Sequence, residues 1–414
     1  MDMRSKANRR GRNGRPPRRL LEGTVRVGAA AASLLRPFDA ESALRRLGGW
    51  MYAAAMINAQ AVAATPLRLY ARRGVGRRLA ATRAVDRQRR RWLGGDGPLR
   101  PSRCVVEKIA QLGEDFEEVA SPHPALMLLR SANAWQSGYE LTVLRMLYLQ
   151  VTGNAYLHPA IDEALGVPGD LWLLPSQWTR VIPSRTRLAD GYLYGLGGAD
   201  TVRFEPEEII HLRLPNPSSL HYGRGRAEAV WTALGLSEAK RRMDVAKFEN
   251  HARPDFLLVV RSGASAETLD RFEKQIDAKL RGARNAGKFL TITGDVSATP
   301  MNLPVEQIGD PTRVTEEIAA GFGVPVGKLL SQDPVRANAE AADAWWLRDT
   351  VLPYCRLDEE MLNERLLPLF GVEGELVLAY DNPVPANRDF DLRRRIGLVR
   401  AGIMTVNEAR AEEG

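Results

Sequence analysis

The stretch GARNAGKF places Gly282, Gly287 and Lys288 in the register of a phosphate-cradling loop, G-x-x-x-x-G-K-[ST]. Phe289 then stands where the pattern needs a hydroxyl to ligate magnesium. A phosphate loop also joins the end of a strand to the start of a helix, whose bare N–H groups meet the anion. Here an amphipathic helix precedes the stretch and the β-rich FLTIT follows, so Lys288 enters a strand. Two independent features therefore oppose nucleotide binding. The stretch reads as a helix-to-strand turn with glycine at the helix end. The remaining reading is a basic turn that touches a polyanion or a partner protein through Arg281, Arg284 and Lys288.

Other chemistry is sparse. His123, His158, His211, His221 and His251 show no H-E-x-x-H or other ligand spacing, so no metal is expected. Cys104 and Cys355 lie far apart without C-x-x-C spacing, which fits a reducing compartment and not a disulfide scaffold. Glu207 and Glu208 precede a strand, at a solvated corner, and no G-x-S-x-G is present. Hydrolase or transferase chemistry finds no support, and no cofactor is implied.

The chain of 414 residues has room for two or three compact units. Its net charge of +8 points to polyanionic partners. Much of the excess sits in MDMRSKANRRGRNGRPPRRL, a Gly/Pro/Arg tail with too little apolar area to fold and expected to be disordered. A second basic run spans Arg68 to Trp92 and reads as a solvated or loosely tethered segment. VRVGAAAASLL, after Arg18 and Arg19, imitates a twin-arginine leader, but Arg26 interrupts it and no clean cleavage site follows. WMYAAAMINAQAVAATPL is broken by Asn58 and Gln60 and falls short of the about 20 residues a membrane span needs, so it reads as an amphipathic or buried helix.

The elements that must position these residues follow from periodicity. Residues 43 to 64 read as a helix ended by Pro66, PLRLYARR as a strand, and 73 to 102 as a loop. SGYELTVLRMLYLQVTG is a helix, with Ser137 and Glu140 as a capping box and Gly153 at its end. Its apolar face carries Leu141, Leu144, Tyr148 and Val151. Short runs such as NAYLHPAI, DLWLLP, TRVIPS, GYLYGL and EIIHLRL read as antiparallel strands. From Tyr222 a long helix follows with a thin stripe of Val230, Leu234, Met243 and Phe248. Such a helix either lies on a surface or packs against copies of itself. A small α/β unit comes next: DFLLVVRS, SAETLDRFEKQIDAKLRG, KFLTIT. PTRVTEEIAAGFGVP is a helix, with Gly321, Gly323 and Pro325 shaping its exit. VGKLLSQDPVRAN reads as an irregular loop, and a second long helix, kinked at Pro353, ends near Phe370. Trp345 and Trp346 read as core packing on that helix, and Asn338 as its N-cap. The fold class is α+β.

The order of these stretches resembles the portal proteins of tailed bacteriophages, in the type found in long non-contractile-tailed phages. INAQAVAATPLRLYARRG, HPALMLLRSANAWQSGYELTVLRMLYLQVTGNAYLHP, LWLLPSQWTRVIP and EEIIHLRLPNPSSLHYGRGRAEAVWTAL are similar to successive landmarks of that family. FENHARPDFLLVV, RGARNAGKFLTIT, IAAGFGVPVGKLL and TVNEARAEEG continue the series. The likeness runs from about residue 50 to the end, and the Arg-rich segments 1–20 and 73–103 are not family landmarks.

The resemblance implies a portal-type fold that closes a ring of about twelve subunits through one repeated heterologous interface. On this mapping a basic tail (1–42) precedes an N-terminal helix and β-rich wing (43–221). A stem helix (222–252), an α/β clip (253–304), a second stem helix (305–324) and a tunnel loop (325–338) follow. A long wing helix (339–370) and a segment leading to a crown (371–414) complete it. The implied role is a non-enzymatic conduit for double-stranded DNA at one capsid vertex. Lys328, Gln332, Arg336 and Asn338 would face DNA, reading phosphate and not sequence. Arg281, Arg284 and Lys288 would lie in the clip, where the large terminase subunit docks. The major capsid protein and a head–tail adaptor are the other implied partners, with no membrane and no cofactor. The implied location is the virion, with assembly in the host cytoplasm. Two alternatives stay open: a packaging ATPase using Lys288, and a basic DNA-binding protein using its tail.

Overall fold

A computed structural model of the chain describes residues 39–75, 81–96, 99–113, 115–120, 122–184, 188–195, 201–235, 255–260, 296–301, 311–330, 336–371, 374–385 and 396–413, with isolated positions at 238, 239, 242, 245 and 393. Asp39 accepts the amide of Ser42 and starts α1 (Ala40–Arg45). Gly48 then breaks the chain before α2 (Gly49–Ala64), so the expected single helix from 43 to 64 is two. α2 is alanine-rich nearly all round. Its small side chains let it sit inside the molecule, with Met51, Ala54, Ala55, Asn58, Ala59 and Val62 buried.

Four antiparallel strands form the first sheet: β1 (Leu67–Arg72), β2 (Thr82–Ala84), β3 (Phe116–Val119) and a strand from the far end of the chain, in the order last–β1–β3–β2. Between β2 and β3 lie α3 (Arg87–Leu93) and α4 (Arg103–Leu112). The stretch read as a loop is therefore partly helical. Arg89 of this stretch is pinned beside Arg68 of β1: both bridge Glu118 and Asp381, with the shortest contact 2.6 Å from Arg68 to Glu118. Arg90 donates to the Val85 and Phe116 carbonyls and covers the Phe116 ring at 5.1 Å. Tyr70, Leu93, Val105, Ile109, Phe116 and Val377 belong to a separate apolar core.

α5 (Pro124–Arg130) leads to α6 (Gly138–Thr152), capped by Ser137 and ended by Gly153 at φ +79°. Burial on α6 exceeds the predicted stripe: Val143, Arg145, Met146, Leu149 and Gln150 are also enclosed, because the helix runs through the core. Six strands follow: β4 (Asn154–Asp162), β5 (Val167–Leu174), β6 (Thr179–Pro183), β7 (Ala189–Gly195), β8 (Thr201–Phe204) and β9 (Ile210–Arg213). They pair as two antiparallel sheets, β5-β4-β9 and β6-β7-β8, as the strand pattern predicts.

α7 (Arg226–Ala229) opens the helical region, and a further turn covers 231–235. Val230, Trp231 and Leu234 are buried, so this part of the predicted thin stripe is core and not an open surface. Met243 and Phe248 lie outside the described residues. β10 (Asp255–Val260) and β11 (Val296–Met301) pair antiparallel. α8 (Pro311–Phe322), α9 (Val326–Leu329), α10 (Arg336–Trp346) and α11 (Leu352–Met361) come next. The predicted kink at Pro353 takes the form of a π-helical segment, Leu347–Val351, just before α11. A wider turn there accommodates a proline that lacks an N–H. A second π segment and a 3₁₀ turn lead through Phe370 to β12 (Leu376–Tyr380), the strand that joins the first sheet, and α12 (Val406–Glu413) follows. The main core packs α2 against α6, α8 and the helices after Trp346.

Candidate functional site

The chain that runs from the end of α8 to the end of α10 is held at both limits by one buried asparagine. Asn58 of α2 donates to Gln150 Oε1 and to the Phe322 carbonyl, each at 2.9 Å. Its Oδ1 accepts the Trp346 indole N–H at 2.7 Å. Gln150 is oriented in turn by donating to the Ala55 and Met146 carbonyls. Phe322 ends α8 and Trp346 ends α10, so one side chain fixes both feet of the intervening span.

The first foot has a specific reason for its sequence. A helix end exposes carbonyls that need donors. Gly323, at φ +68°, lets Val324 N–H reach the Ala319 carbonyl and Gly323 N–H reach the Ala320 carbonyl, the two bonds of a Schellman turn. Arg226 then donates to the Phe322 carbonyl at 2.6 Å, and Thr350 Oγ1 to the Gly323 carbonyl at 2.8 Å. The Arg226 guanidinium rests over the Tyr354 ring at 5.2 Å. Pro325 caps α9, so the expectation that Gly323 and Pro325 shape this exit holds.

The span itself carries the residues expected to face DNA. Lys328, on α9, places Nζ 3.0 Å from Asp343 Oδ1 of α10 and 4.4 Å from the centroid of the Trp346 ring. Gln332 lies outside the described residues. Arg336 is the first residue of α10, and Asn338 is exposed within its first turn. Asn338 is therefore not the N-cap, because the helix starts two residues earlier. Trp346 is buried as predicted, whereas Trp345 is 61% exposed. Arg281, Arg284 and Lys288 all lie outside the described residues.

Behind the clamp sits an ionic cluster that periodicity could not find. Arg145 of α6 is 1% exposed and meets Asp358 at 2.7 Å, and Tyr380 donates to the same Asp358 oxygen at 2.7 Å. Glu359 accepts the amides of Ser102 at 3.0 Å and Tyr380 at 2.8 Å. Asn363 exchanges two hydrogen bonds with the Leu378 backbone. Burial pushes the Asp358 carboxyl up against the pull of Arg145 and Tyr380. Burial likewise pushes Glu359 up to about 7. Raised carboxyls often mark chemistry. Here each acid is enclosed and held by main-chain or paired donors, so the cluster zips α11 onto β12.

A second feature invisible to periodicity is a close chain crossing. Asn154 Oδ1 accepts the Gly223 amide at 2.7 Å, and the His211 Nε2 sits 3.1 Å from it. A Cβ on Gly223 would lie 2.1 Å from the Gly153 carbonyl oxygen, and one on Gly225 2.1 Å from that of Val151. The Gly153-Asn154 pair and the Gly223-x-Gly225 spacing are the available sequence signals. His211 stacks on Tyr156, and burial lowers its pKa to about 3. Among the described residues no group of acids, histidines and cysteines could hold a metal ion, and no helix is long and apolar enough to cross a membrane.

These features define a mixed helix-and-sheet protein organised around a span clamped on a helical frame. The model of a known family, described as phage portal protein, matches residues 100–414. The chain belongs to the phage portal protein family. It is 25% identical over 309 residues to an uncharacterised protein of Rickettsia bellii (strain RML369-C), covering 72% of this chain and 79% of that one. Among solved structures it is similar to a chain from the neck of an empty gene transfer agent particle computed with sixfold symmetry, with TM-score 0.58, 25% identity, and 93% and 97% of the two chains covered. It is also similar in fold to a chain of a native gene transfer agent virion, with TM-score 0.56, 24% identity, and coverage of 92% and 95%.

Proposed function

We propose that this chain forms a ring of about twelve subunits at one capsid vertex, each repeating the same heterologous contact, and that double-stranded DNA passes through the centre. The observation that carries the reading is the span between Phe322 and Trp346, tied at both feet to α2 in a member of the portal family. A tunnel loop must sit at one height in every subunit, and a rigid footing supplies that. In the mapping we favour, 43–221 with 339–370 is the wing, 222–252 and 305–324 the stem, 253–304 the clip and 325–338 the tunnel loop. The clip would receive the large terminase subunit through Arg281, Arg284 and Lys288. The wing would meet the major capsid protein, and a head–tail adaptor would complete the neck of the virion.

Exposed apolar side chains support assembly. Trp135 is 84% exposed, Leu220 77% and Leu165 71%. Trp135 is also preorganised: the buried Asn133 accepts the amides of Trp135 and Gln136 and donates to the Leu171 carbonyl. Rigid aromatic residues of this kind are the anchors of protein interfaces. Negative-stain imaging of the purified chain tests the proposal. Annular particles with an open bore wide enough for a duplex are expected. A well-folded monomer under every assembly condition, or nucleotide hydrolysis lost on Lys288→Ala, would overturn it.

A further inference from the structure

We propose that Asp343 is a positioning residue that holds the Lys328 ammonium on α10 and so keeps it off DNA phosphate; the inference rests on the conduit reading above. Three observations carry it. Asp343 Oδ1 lies 3.0 Å from Lys328 Nζ, within reach of a charge-assisted hydrogen bond. The Trp346 ring, 4.4 Å from the same ammonium, adds a second attraction from the side. That ring is itself oriented, since its N–H donates to buried Asn58. The lysine is therefore directed by a fixed platform and a carboxylate, although it stays partly open to solvent.

The consequence follows from what a conduit requires. DNA must be tolerated in any sequence and released at every step, so each phosphate contact has to be weak. A free lysine in each subunit would repeat one phosphate contact around the whole ring. Every phosphate neutralised steepens the salt dependence of binding by a slope of about 0.9. Asp343 supplies a competing anion inside the protein, so DNA gains little when it displaces the lysine. The loop keeps a positive side chain near the bore, and Asp343 cancels its charge.

The test uses assembled rings of the full chain and a short DNA duplex. Asp343→Asn keeps the shape and removes the charge. Rings of this variant are expected to bind duplex more tightly at low salt than native rings. For each phosphate that a released Lys328 neutralises, affinity should fall about threefold more than native between about 50 and 200 mM salt. Lys328→Ala combined with Asp343→Asn should abolish the tighter binding. A DNA-free measurement covers the case of poor assembly: acetylation of the full chain by an N-hydroxysuccinimide ester, read by mass spectrometry, should modify Lys328 faster in Asp343→Asn than in the native chain. Equal DNA binding by native and Asp343→Asn rings, or equal Lys328 reactivity, overturns the inference and leaves the conduit reading standing. Native rings that exclude duplex at every salt concentration overturn both.

Discussion

Asn58→Ala is the sharpest probe of the clamp. The side chain is fully buried and makes three hydrogen bonds, to Gln150, Phe322 and Trp346. Its removal does not cost all three equally. The Phe322 carbonyl keeps Arg226 as a donor at 2.6 Å, so it is not orphaned. The Trp346 N–H and the Gln150 Oε1 lose the partner that Asn58 provides. A buried polar group left unpaired costs about 1–3 kcal/mol, so the substitution should destabilise by about 2–6 kcal/mol. At about 2 °C per kcal/mol for a chain of this size, melting should fall by about 4–12 °C. Thermal unfolding followed by circular dichroism reads this directly. Trp346→Phe removes the indole donor, so adding it to Asn58→Ala should cost less than the sum of the single changes, with a coupling of about 1–2 kcal/mol. Trypsin should also cut after Lys328 or Arg336 faster in Asn58→Ala, because the feet of the span have loosened. Melting within a degree of the native chain, or strict additivity with Trp346→Phe, would refute the claim that Asn58 holds the span.

Three further outcomes follow from other parts of the structure. Arg145→Ala leaves Asp358 in the interior without a counter-charge, with only the Tyr380 hydroxyl as donor, and should cost about 3–5 kcal/mol, read as a loss of soluble protein or a large fall in melting temperature. Gly223→Ala should block folding, since its Cβ meets the Gly153 backbone at 2.1 Å, whereas Gly327→Ala enters open space and should melt like the native chain. The third concerns pH. Glu359 titrates near 7 when folded and near 4.5 when unfolded, so its contribution is full below 4.5 and is lost as pH rises through 7, up to about 3 kcal/mol. His211 has the opposite sign: its pKa falls from 6.5 to about 3, so its contribution is present above 6.5 and is lost as pH falls. The Glu359 loss falls between pH 4.5 and 7 and offsets the His211 gain up to 6.5, so native melting should stay nearly level there and Glu359→Gln should turn it into a rise with pH. A native chain that gains stability from pH 6 to 8 would contradict the assignment.

Much of the architecture is legible in the sequence where one local rule decides. Ser137 caps α6, Gly153 ends it, and the short Pro- and Gly-bounded runs are antiparallel strands. The failures share a cause, which is that partners distant in sequence leave no periodic trace. Arg68 and Arg89 look solvated until Glu118 and Asp381 arrive from β3 and the end of β12. Arg145 looks like the polar side of a helix, and its charge partner Asp358, itself bound by Tyr380, lies 213 positions away. Asn58 reads as a break in an apolar segment. It is instead the polar hub of α2, with partners up to 288 positions away. Val230 looks like part of a thin stripe because Gly321 of α8, which packs against it, follows much later in the chain.

The choice of polar bonds at the clamp has a geometric reason. Apolar contacts tolerate sliding, because one methyl group replaces another at little cost. A helix that slips by one residue moves about 1.5 Å along its axis and turns by about 100°. Such a slip of α10 against α2 would carry the Trp346 indole away from Asn58, and a slip of α8 would withdraw the Phe322 carbonyl from both Asn58 and Arg226. Each displaced register leaves buried donors unpaired, so one register is selected far more sharply than packing alone allows. In the proposed ring this selection would repeat in every subunit, and the tunnel loops would keep a common height only if each footing admits a single position. The same footing fixes the Trp346 platform under Lys328. The register of two helices thereby sets where the Lys328 charge is offered, and a loosened Asn58 should disturb both together.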